Sequence, residues 1–271
     1  MNTEIHPTAI VHPGAEIDVG CTIGPYCVIG EKVKLGRDSR LQSHVVLDGK
    51  LEIGAGAEIF PFACLGKITQ DLKYEGQEGQ IRIGNNTTIR EYVTVHMPTS
   101  DGLTYVGNDC HLLAYSHIAH DCQVGDHVVM SNSTHLAGHV TIEDRVVFGG
   151  LIGVHQFCHI GTMSMIGANS KVAQDIVPYS LADGNPALPR TVNKVGMTRN
   201  GLEQRVVKDV SRAHRLLFRE GLTLDKAVER IRAEVGDRAE LTNIIDFVQN
   251  SERGLARPPV RKRQQNGEKR T

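Results

Sequence analysis

Histidine is frequent in this 271-residue chain, which contains 13 copies of it. Eight of them lie between residues 111 and 159, several in the segments HIAHDC (117–122) and LAGH (136–139). A histidine such as His120 can act as a general base near neutral pH, and an adjacent carboxylate such as Asp121 can hold the tautomer that this requires. A glycine can offer an unhindered backbone N–H to a developing oxyanion. These groups are suited to acyl transfer, provided that the fold brings them together.

The elements that must position these residues are built on a period of six. A large apolar residue recurs at every sixth position from Ile5 to Leu65, from Ile83 to Val95 and from Val106 to Val172. If a third of the residues were large and apolar, a run of a dozen would arise by chance about once in several hundred thousand trials. A helix cannot present one inward residue in six, whereas a short strand, a corner and another strand can. Three such sides form an 18-residue triangular coil, so the sequence predicts a mainly β protein, a parallel β-helix whose residues 18 apart are stacked.

Small residues complete the repeat. A glycine often follows the large apolar residue, and we interpret these glycines as corners too tight for a side chain. Small or β-branched residues stand two positions before the apolar one, and five of the six cysteines are among them: Cys21, Cys27, Cys110, Cys122 and Cys158. We therefore expect the cysteines to be small core fillers with free thiols, in a reducing compartment.

The 18-residue rule brings one group of candidates to a single corner. Adding 18 to His120 gives Gly138, and adding 18 to Asp121 gives His139. Strand alternation turns the histidines that precede an apolar position outward, where an isolated histidine is usually only surface: His111, His117, His135 and His159. Metal binding is the alternative interpretation of the corner, because HIAHDC could pair two histidines or add Cys122 to them. Our prediction is that no metal is bound.

The repeat is interrupted twice and then ends. Loops are predicted near residues 67–80 and 97–105, where glycine, proline and charged residues break the pattern. The segment after Val172 is rich in proline and leads to helical periodicity. We predict a β-helix domain over 1–190, a C-terminal helical domain over 191–250 and a basic, disordered tail over 251–271.

Basic residues follow one face of the first long helix at helical spacing: Arg205, Lys208, Arg212, Arg215 and Arg219. On charge alone this face is interpreted as solvated surface. The net charge is −1, and no aromatic residues interleave with the basic ones, so we expect no nucleic-acid partner. No signal peptide and no long apolar stretch is present in the sequence, which favours a cytoplasmic protein without an integral membrane segment.

Several motifs resemble one family closely. They are TQDLKY (69–74), HIAHDC (117–122), LAGH (136–139), VHQFC (154–158) and VAQD (172–175), followed by helices. The chain resembles the UDP-N-acetylglucosamine acyltransferases that open lipid A synthesis, within the hexapeptide-repeat acyltransferases. The resemblance implies a left-handed prism and a homotrimer with sites in the clefts between prisms. It also implies transfer of an (R)-3-hydroxyacyl chain from acyl carrier protein to the 3-position of UDP-N-acetylglucosamine.

The resemblance assigns roles to individual residues. It makes His120 the base, Asp121 its orienting partner and Gly138 the donor to the oxyanion. The enzyme then needs no cofactor of its own, because phosphopantetheine arrives on the carrier. Motif positions imply substrate contacts for Asp71, Lys73, His96, His117, His139, His155, Gln156, Asn193 and Arg199. Val195 and Asn200 depart from the family pattern of a glutamate and a second arginine, which weakens the expectation of nucleotide contacts there.

The basic helix face gains a function from the same resemblance, because acyl carrier protein is acidic and would dock there. Three alternatives remain open. One is the related N-acyltransferase of the pathway, although that enzyme has an extra N-terminal domain and the repeats here begin at Ile5. The others are a zinc carbonic anhydrase of the same fold and a non-catalytic scaffold. The acceptor could carry a 3-hydroxyl or a 3-amine, giving an ester or an amide, and the acyl length is left open.

Overall fold

The chain folds as a parallel β-helix closed at its C-terminal end by helices. The structure, a computed structural model, describes residues 2–236 and 238–258. Within these residues, three sheets, here called A, B and C, form the sides of a triangular prism, and their strands are parallel except for the last pair of sheet A. Within the described residues, no helix is both long enough and apolar enough to cross a membrane.

The strands are short and follow one another around the prism. Sheet A contains β1 (Glu4–Ile5), β4 (Thr22–Ile23), β7 (Arg40–Leu41), β10 (Glu58–Ile59), β13 (Thr88–Ile89), β16 (His111–Leu112), β19 (Val129–Met130), β22 (Val147–Phe148), β25 (Met165–Ile166), β27 (Ser180–Gly184) and β28 (Ala187–Val192). Sheet B contains β2 (Ile10–Val11), β5 (Val28–Ile29), β8 (Val46–Leu47), β11 (Cys64–Lys67), β14 (Thr94–His96), β17 (His117–Ile118), β20 (Thr134–Leu136), β23 (Ile152–Val154) and β26 (Lys171–Val172). Sheet C contains β3 (Glu16–Ile17), β6 (Val33–Leu35), β9 (Leu51–Ile53), β12 (Gln80–Ile83), β15 (Leu103–Val106), β18 (Gln123–Val124), β21 (Thr141–Ile142) and β24 (His159–Ile160).

Successive coils pair in the register that the period predicts. His117 lies opposite His135 and Ile118 opposite Leu136, 18 residues further on. The apolar residue of each strand points into the prism, where Ile118, Leu136 and Phe148 are completely buried. The predicted stacking of residues 18 apart is therefore confirmed.

The cysteines are confirmed as core fillers. The five at the small position are fully buried, and all six are free. Their thiols donate to carbonyl groups of the next coil, as Cys122 does to the Ala137 oxygen at 3.1 Å. Burial raises the pKa of the Cys122 thiol to about 12, so this sulfur is neither a nucleophile nor an available metal ligand.

The corners differ from the prediction in one respect. The left-handed backbone conformation falls two residues after the expected glycine and is adopted by non-glycine residues such as Tyr26, Asp109 and His127. The glycines are needed for close stacking instead. A Cβ atom on Gly84 would lie 2.6 Å from the Gly107 carbonyl carbon and 2.7 Å from the Asn108 nitrogen of the next coil.

Both predicted loops leave the prism, with bounds that differ from those expected. The first loop spans 68–79 and the second 97–102. The second was predicted to reach residue 105, which is wrong, because Leu103–Val106 forms β15 and pairs with β12. The physical reason is that β15 restores the side of the prism and buries Val106.

In the part of the chain that the structure describes, four helices follow the antiparallel hairpin of β27 and β28. They are α1 (Lys194–Arg199), α2 (Gln204–Phe218), α3 (Leu224–Val235) and α4 (Ala239–Gln249). Thr223 caps α3 by accepting from the Lys226 N–H. The helices bury a second apolar core that includes Val210, Leu217 and Ile244 and closes the end of the prism.

The predicted disorder of residues 251–271 is wrong for residues 251–258, and residues 259–271 lie outside the described residues. Ser251 donates to the buried Asp175 carboxylate at 2.6 Å, and Leu255 and Ala256 are buried. The Arg257 guanidinium donates to the carbonyl oxygens of Leu217 and Leu222. This short segment therefore ties the helices to the last coils.

Because coils stack closely at some glycines and not at others, alanine should affect stability differently at two of them. Gly84→Ala places a methyl group against the backbone of the next coil and should lower the free energy of unfolding by about 1–3 kcal/mol. Gly153→Ala is the matched control, because a Cβ there meets nothing within 4 Å; it should be neutral or stabilising by a few tenths of a kcal/mol. Urea unfolding measures both, and equal midpoints would contradict the close-stacking explanation.

Candidate active site

One corner of the prism collects most of the predicted site residues. We call the corner between sheets B and C the BC corner; its regular turns are residues 119–122, 137–140 and 155–158. Both loops also leave from it, because residues 68–79 connect β11 to β12 and residues 97–102 connect β14 to β15. The BC corner is therefore the place where the prism departs most from its repeat.

His120 and Asp121 form a buried pair at this corner. The His120 Nδ1 lies 2.9 Å from the Asp121 Oδ2, and each side chain is only 11% exposed. A carboxylate can only accept a hydrogen bond, so Nδ1 carries the proton and Nε2 keeps its lone pair. This is the arrangement of an imidazole held ready as a base.

Two threonines that sequence reasoning missed hold Asp121. The Thr99 hydroxyl and backbone N–H donate to Asp121 Oδ2 at 2.7 and 3.1 Å, and the Asp121 N–H donates to the Thr104 hydroxyl at 2.9 Å. Burial raises the pKa of Asp121, but the hydrogen bonds from Thr99 and His120 outweigh it and lower this pKa below its usual value. The carboxylate therefore stays ionised beside His120.

The first loop brings Asp71 to the other side of the His120 ring. An Asp71 carboxylate oxygen lies 3.9 Å from His120 Nε2. The loop turns tightly here, because the Lys73 N–H donates to Asp71 Oδ1 at 2.9 Å and the Asp71 N–H donates to the Thr69 hydroxyl at 3.1 Å. Lys73 is exposed two residues further along the same turn.

Gly138 lies directly against the His120 ring. A Cβ on Gly138 would fall 2.2 Å from His120 Cε1 and 2.4 Å from Nε2, so a side chain at this position would displace the imidazole. Within residues 2–236 and 238–258, the Gly138 N–H donates to no acceptor. The Gly138 N–H is thus a backbone donor close to His120 Nε2.

His139 packs between His120 and a phenylalanine. Its ring meets the His120 ring edge-on at 5.1 Å and stacks on Phe157 at 4.8 Å, and its Nε2 lies 3.7 Å from Asp121 Oδ2. Phe157 was not predicted, although it stands 18 residues after His139 and the stacking rule would have found it. His155 and Gln156 lie at the same turn, one coil beyond Gly138, with His155 exposed.

A row of histidines lies on sheet B beside the corner. The His96 and His117 rings are 4.8 Å apart, and His117 Nδ1 lies 2.7 Å from the Thr94 hydroxyl. Burial lowers the pKa of His96, and burial with the neighbouring imidazoles of His96 and His135 lowers the pKa of His117 to about 4. Both rings are therefore neutral hydrogen-bonding groups near pH 7. His117 is not the plain surface residue that its outward position suggests.

Asn193 and Arg199 lie elsewhere on the chain. Asn193 caps α1 by accepting from the Gly196 N–H at 2.9 Å, and its amide donates to the Met163 carbonyl at 2.8 Å. Met163 belongs to the corner between sheets C and A, so one chain does not bring Asn193 to His120. Its side chain has a structural use here that the sequence did not reveal.

The basic face of α2 is not uniformly available. Arg212 is paired with Glu220 and Glu234, and Arg215 lies 3.4 Å from Glu220, so the predicted docking face is partly neutralised. Glu220 lies in the turn after α2 and Glu234 lies on α3, so spacing along one helix cannot reveal these partners. Arg205, Lys208, Arg215 and Arg219 are exposed, and the Arg219 guanidinium also donates to the Arg190 carbonyl.

A metal could find three ligand atoms at the BC corner, since those of His120, Asp121 and His139 lie within 4.8 Å of one another. Cys122 cannot join them, because its thiol points into the prism. The carboxylate oxygen nearest the histidines already accepts from Thr99 and His120. The geometry therefore supports proton transfer better than metal coordination.

Comparisons with known proteins agree with this geometry. A family model described as UDP N-acetylglucosamine O-acyltransferase, domain 2, matches residues 175–256, and one for the bacterial transferase hexapeptide (six repeats) matches residues 104–138. A curated relative from Gloeothece citriformis (strain PCC 7424) is named acyl-(acyl-carrier-protein)–UDP-N-acetylglucosamine O-acyltransferase. It is 45% identical over 234 residues, which cover 86% of this chain and 85% of the relative.

Solved structures match over nearly the whole length. The UDP-N-acetylglucosamine O-acyltransferase of Moraxella catarrhalis RH4 has a TM-score of 0.91 and 41% identity, covering 93% of this chain and 99% of that one. The LpxA structure from Acinetobacter baumannii has a TM-score of 0.90 and 43% identity with the same coverage. The predicted left-handed β-helix of hexapeptide repeats with C-terminal helices is confirmed.

The neutral His117 predicts an acid sensitivity of the fold. Its pKa is about 4 in the folded chain against the usual 6.5, so the unfolded state binds more protons between these values, and stability should fall as the pH drops from 6.5 to 4. In His117→Asn, the loss of stability between pH 6.5 and 4 should be smaller than in the wild type, by at most about 3 kcal/mol. Urea unfolding at several pH values tests this, with the exposed His111→Asn as control. An unchanged pH dependence in His117→Asn would contradict the assignment.

Proposed function

Because the chain belongs to the family of UDP-N-acetylglucosamine O-acyltransferases of lipid A biosynthesis, we propose that it carries out this transfer with His120 as general base. The enzyme moves an acyl chain from acyl carrier protein to UDP-N-acetylglucosamine. The observation that carries the mechanistic proposal is the 2.9 Å contact between His120 Nδ1 and Asp121. It leaves Nε2 free to accept a proton.

In the proposed reaction, Nε2 of His120 removes the proton from the 3-hydroxyl of the glucosamine ring. The hydroxyl oxygen forms a bond to the thioester carbonyl carbon, and the carbonyl oxygen becomes a tetrahedral oxyanion. When this intermediate collapses, the carbon–sulfur bond breaks, and the proton passes from His120 to the departing carrier thiolate. The carboxylate of Asp121 stabilises the imidazolium that exists between the two proton transfers.

Gly138 is proposed as a donor to the oxyanion. Its Cα lies against the His120 ring, and its N–H donates to no acceptor in the described part of the chain. Such a fixed backbone donor needs no reorganisation when charge develops on the oxygen. A Gly at this position also leaves room for the imidazole.

Asp71 and Lys73 are proposed to bind the acceptor. Asp71 lies 3.9 Å from His120 Nε2, which places an acceptor for sugar hydroxyls beside the base. The exposed ammonium of Lys73 is suited to a nucleotide diphosphate. We add the neutral His96 and His117, together with His139, His155 and Gln156, as groups lining the same cleft. An O-acyltransferase name in the relatives favours the 3-hydroxyl acceptor and an ester product.

The carrier protein is proposed to dock on α2. The exposed Arg205 and Lys208 lie three residues apart on one face, and Arg215 extends the face by two turns. An acidic carrier would be attracted to these cations and guided to the site. Arg212 is left out because both Glu220 and Glu234 pair with it, whereas Arg215 is kept because its side chain stays 69% exposed beside Glu220. Arg219 contributes less because it holds the Arg190 carbonyl. No bound cofactor is proposed, since phosphopantetheine comes with the carrier.

We further propose a homotrimer with its sites between prisms. Support comes from the placement of Asn193 and Arg199, which lie away from the BC corner of their own chain. A neighbouring protomer could bring them to the acceptor's nucleotide. Val195, which is 61% exposed, and Asn200, which accepts from Arg145, replace charged residues of the family pattern. The predicted cytoplasmic location stays a prediction.

Removal of the base tests the mechanism. His120→Ala should lower kcat for transfer from hydroxyacyl carrier protein to UDP-N-acetylglucosamine by roughly 10²–10⁴-fold, because general-base catalysis is worth that much. Asp121→Asn should also lower kcat, because it no longer stabilises the imidazolium. His127→Ala, at the corner between sheets C and A, is the matched control. Wild-type turnover in His120→Ala, with the fold intact by circular dichroism, would rule the mechanism out.

Charge reversal on α2 tests the docking proposal. The double variant Arg205→Glu with Lys208→Glu should raise KM for the acyl carrier about tenfold or more and leave KM for UDP-N-acetylglucosamine unchanged. Raising the salt concentration should weaken wild-type carrier binding more than that of the variant. The double variant Lys226→Glu with Arg232→Glu on α3 is a control of equal charge change, since both residues are exposed on another helix. The docking site would have to be sought elsewhere if both variants behaved alike.

A further inference from the structure

The second loop interacts with the catalytic pair through one residue. Thr99 lies near the middle of residues 97–102 and directs both its hydroxyl and its backbone N–H to Asp121 Oδ2. That oxygen is also the one that accepts from His120 Nδ1. Three donors therefore converge on a single oxygen atom, two of them from the same residue.

We propose that Thr99 is a positioning residue of the transfer reaction, which fixes the Asp121 carboxylate so that it can orient and stabilise His120. The proposal rests on the proposed role of His120 as base. The proposed role of Thr99 is exerted on the Asp121 carboxylate and not directly on the His120 ring or the reacting atoms. It acts by preventing rotation of the carboxylate away from the imidazole.

The loop is built to hold Thr99 in place. Pro98, next to it, is buried, and the first loop packs against it so closely that a Cβ on Gly79 would lie 2.1 Å from the Pro98 ring. The Gln80 N–H also donates to the Gly102 carbonyl at 3.0 Å. The two loops thus brace one another, and the loop that carries Asp71 supports the one that carries Thr99.

The second loop and the strand that follows it hold Asp121 at two points. Thr99 binds the carboxylate, and Thr104, the second residue of β15 after the loop, accepts the Asp121 backbone N–H. Gly102 lies close as well, since a Cβ there would be 3.3 Å from Asp121 Oδ1. The side chain and main chain of Asp121 are consequently fixed by one short segment of chain.

Serine and valine at position 99 separate the hydroxyl from the shape of threonine. Thr99→Val keeps the volume and the backbone N–H but removes the hydroxyl, and should lower kcat roughly 10- to 100-fold, as loss of an orienting partner commonly does. KM for UDP-N-acetylglucosamine should stay within about twofold, because no substrate contact is removed. Thr99→Ser restores the hydroxyl and should bring kcat to within about threefold of wild type. Ser100→Ala, at the exposed neighbouring position, is the matched control and should have wild-type kcat.

A double-variant comparison distinguishes positioning from a general loss of structure. If Thr99 acts through Asp121, Thr99→Val should have little further effect on kcat in an Asp121→Ala background. Wild-type kcat in Thr99→Val, a failure of Thr99→Ser to restore kcat, or an undiminished effect in the Asp121→Ala background would each overturn the proposal. Full activity of His120→Ala would remove the proposed role of His120 as base, on which the role of Thr99 rests. If His120→Ala is inactive and Thr99→Val is fully active, only the proposed role of Thr99 is overturned.

Discussion

Parallel pairing between successive coils is the interaction on which the rest of this structure depends. Each short strand bonds to the strand one coil above and one coil below, as β17 does to β14 and β20. A strand of two residues has little stability alone, so its position is set by its neighbours. Since every uninterrupted coil repeats the same path, a residue's place on the prism follows from its remainder in a period of 18 within each stretch between the loops. That geometry brings His120 over the Cα of Gly138 without any long-range loop closure.

The same constraint explains why the chemistry lies where the repeat is broken. A regular coil has room for three short sides and three corners, and its interior is filled by apolar side chains. Extra residues can leave only at a corner, and both loops leave at the BC corner. The pairing continues on either side of them, with Thr94 opposite Cys64 and His117 opposite Thr94. The prism therefore supplies a rigid base, and the loops add Asp71 and Thr99 above it.

The sequence predicts much of this fold because its core rule is local and periodic. The coils, the buried cysteines and the neighbourhood of His120, Asp121, Gly138 and His139 all follow from counting. Thr99 does not, because the period gives no coordinates inside a loop. The pairing of Arg212 with glutamates depends on how α3 packs on α2. The position of Leu255 depends on a β-bridge to Asp175, 80 residues earlier. Contacts between elements that do not share the repeat can be found only from the folded structure.

The corner conformation itself makes the His120–Asp121 pair possible. On an extended strand, adjacent side chains point to opposite faces and cannot bond to one another. Asp121 adopts a left-handed backbone conformation, with φ of 59°, and this turns its carboxylate back to the preceding histidine. His139 repeats the conformation one coil above, with φ of 58°. Each such residue costs conformational energy, and only a backbone held by coils on both sides can maintain it. The repeat that builds the prism therefore also maintains the strained turn that pairs the base with its carboxylate.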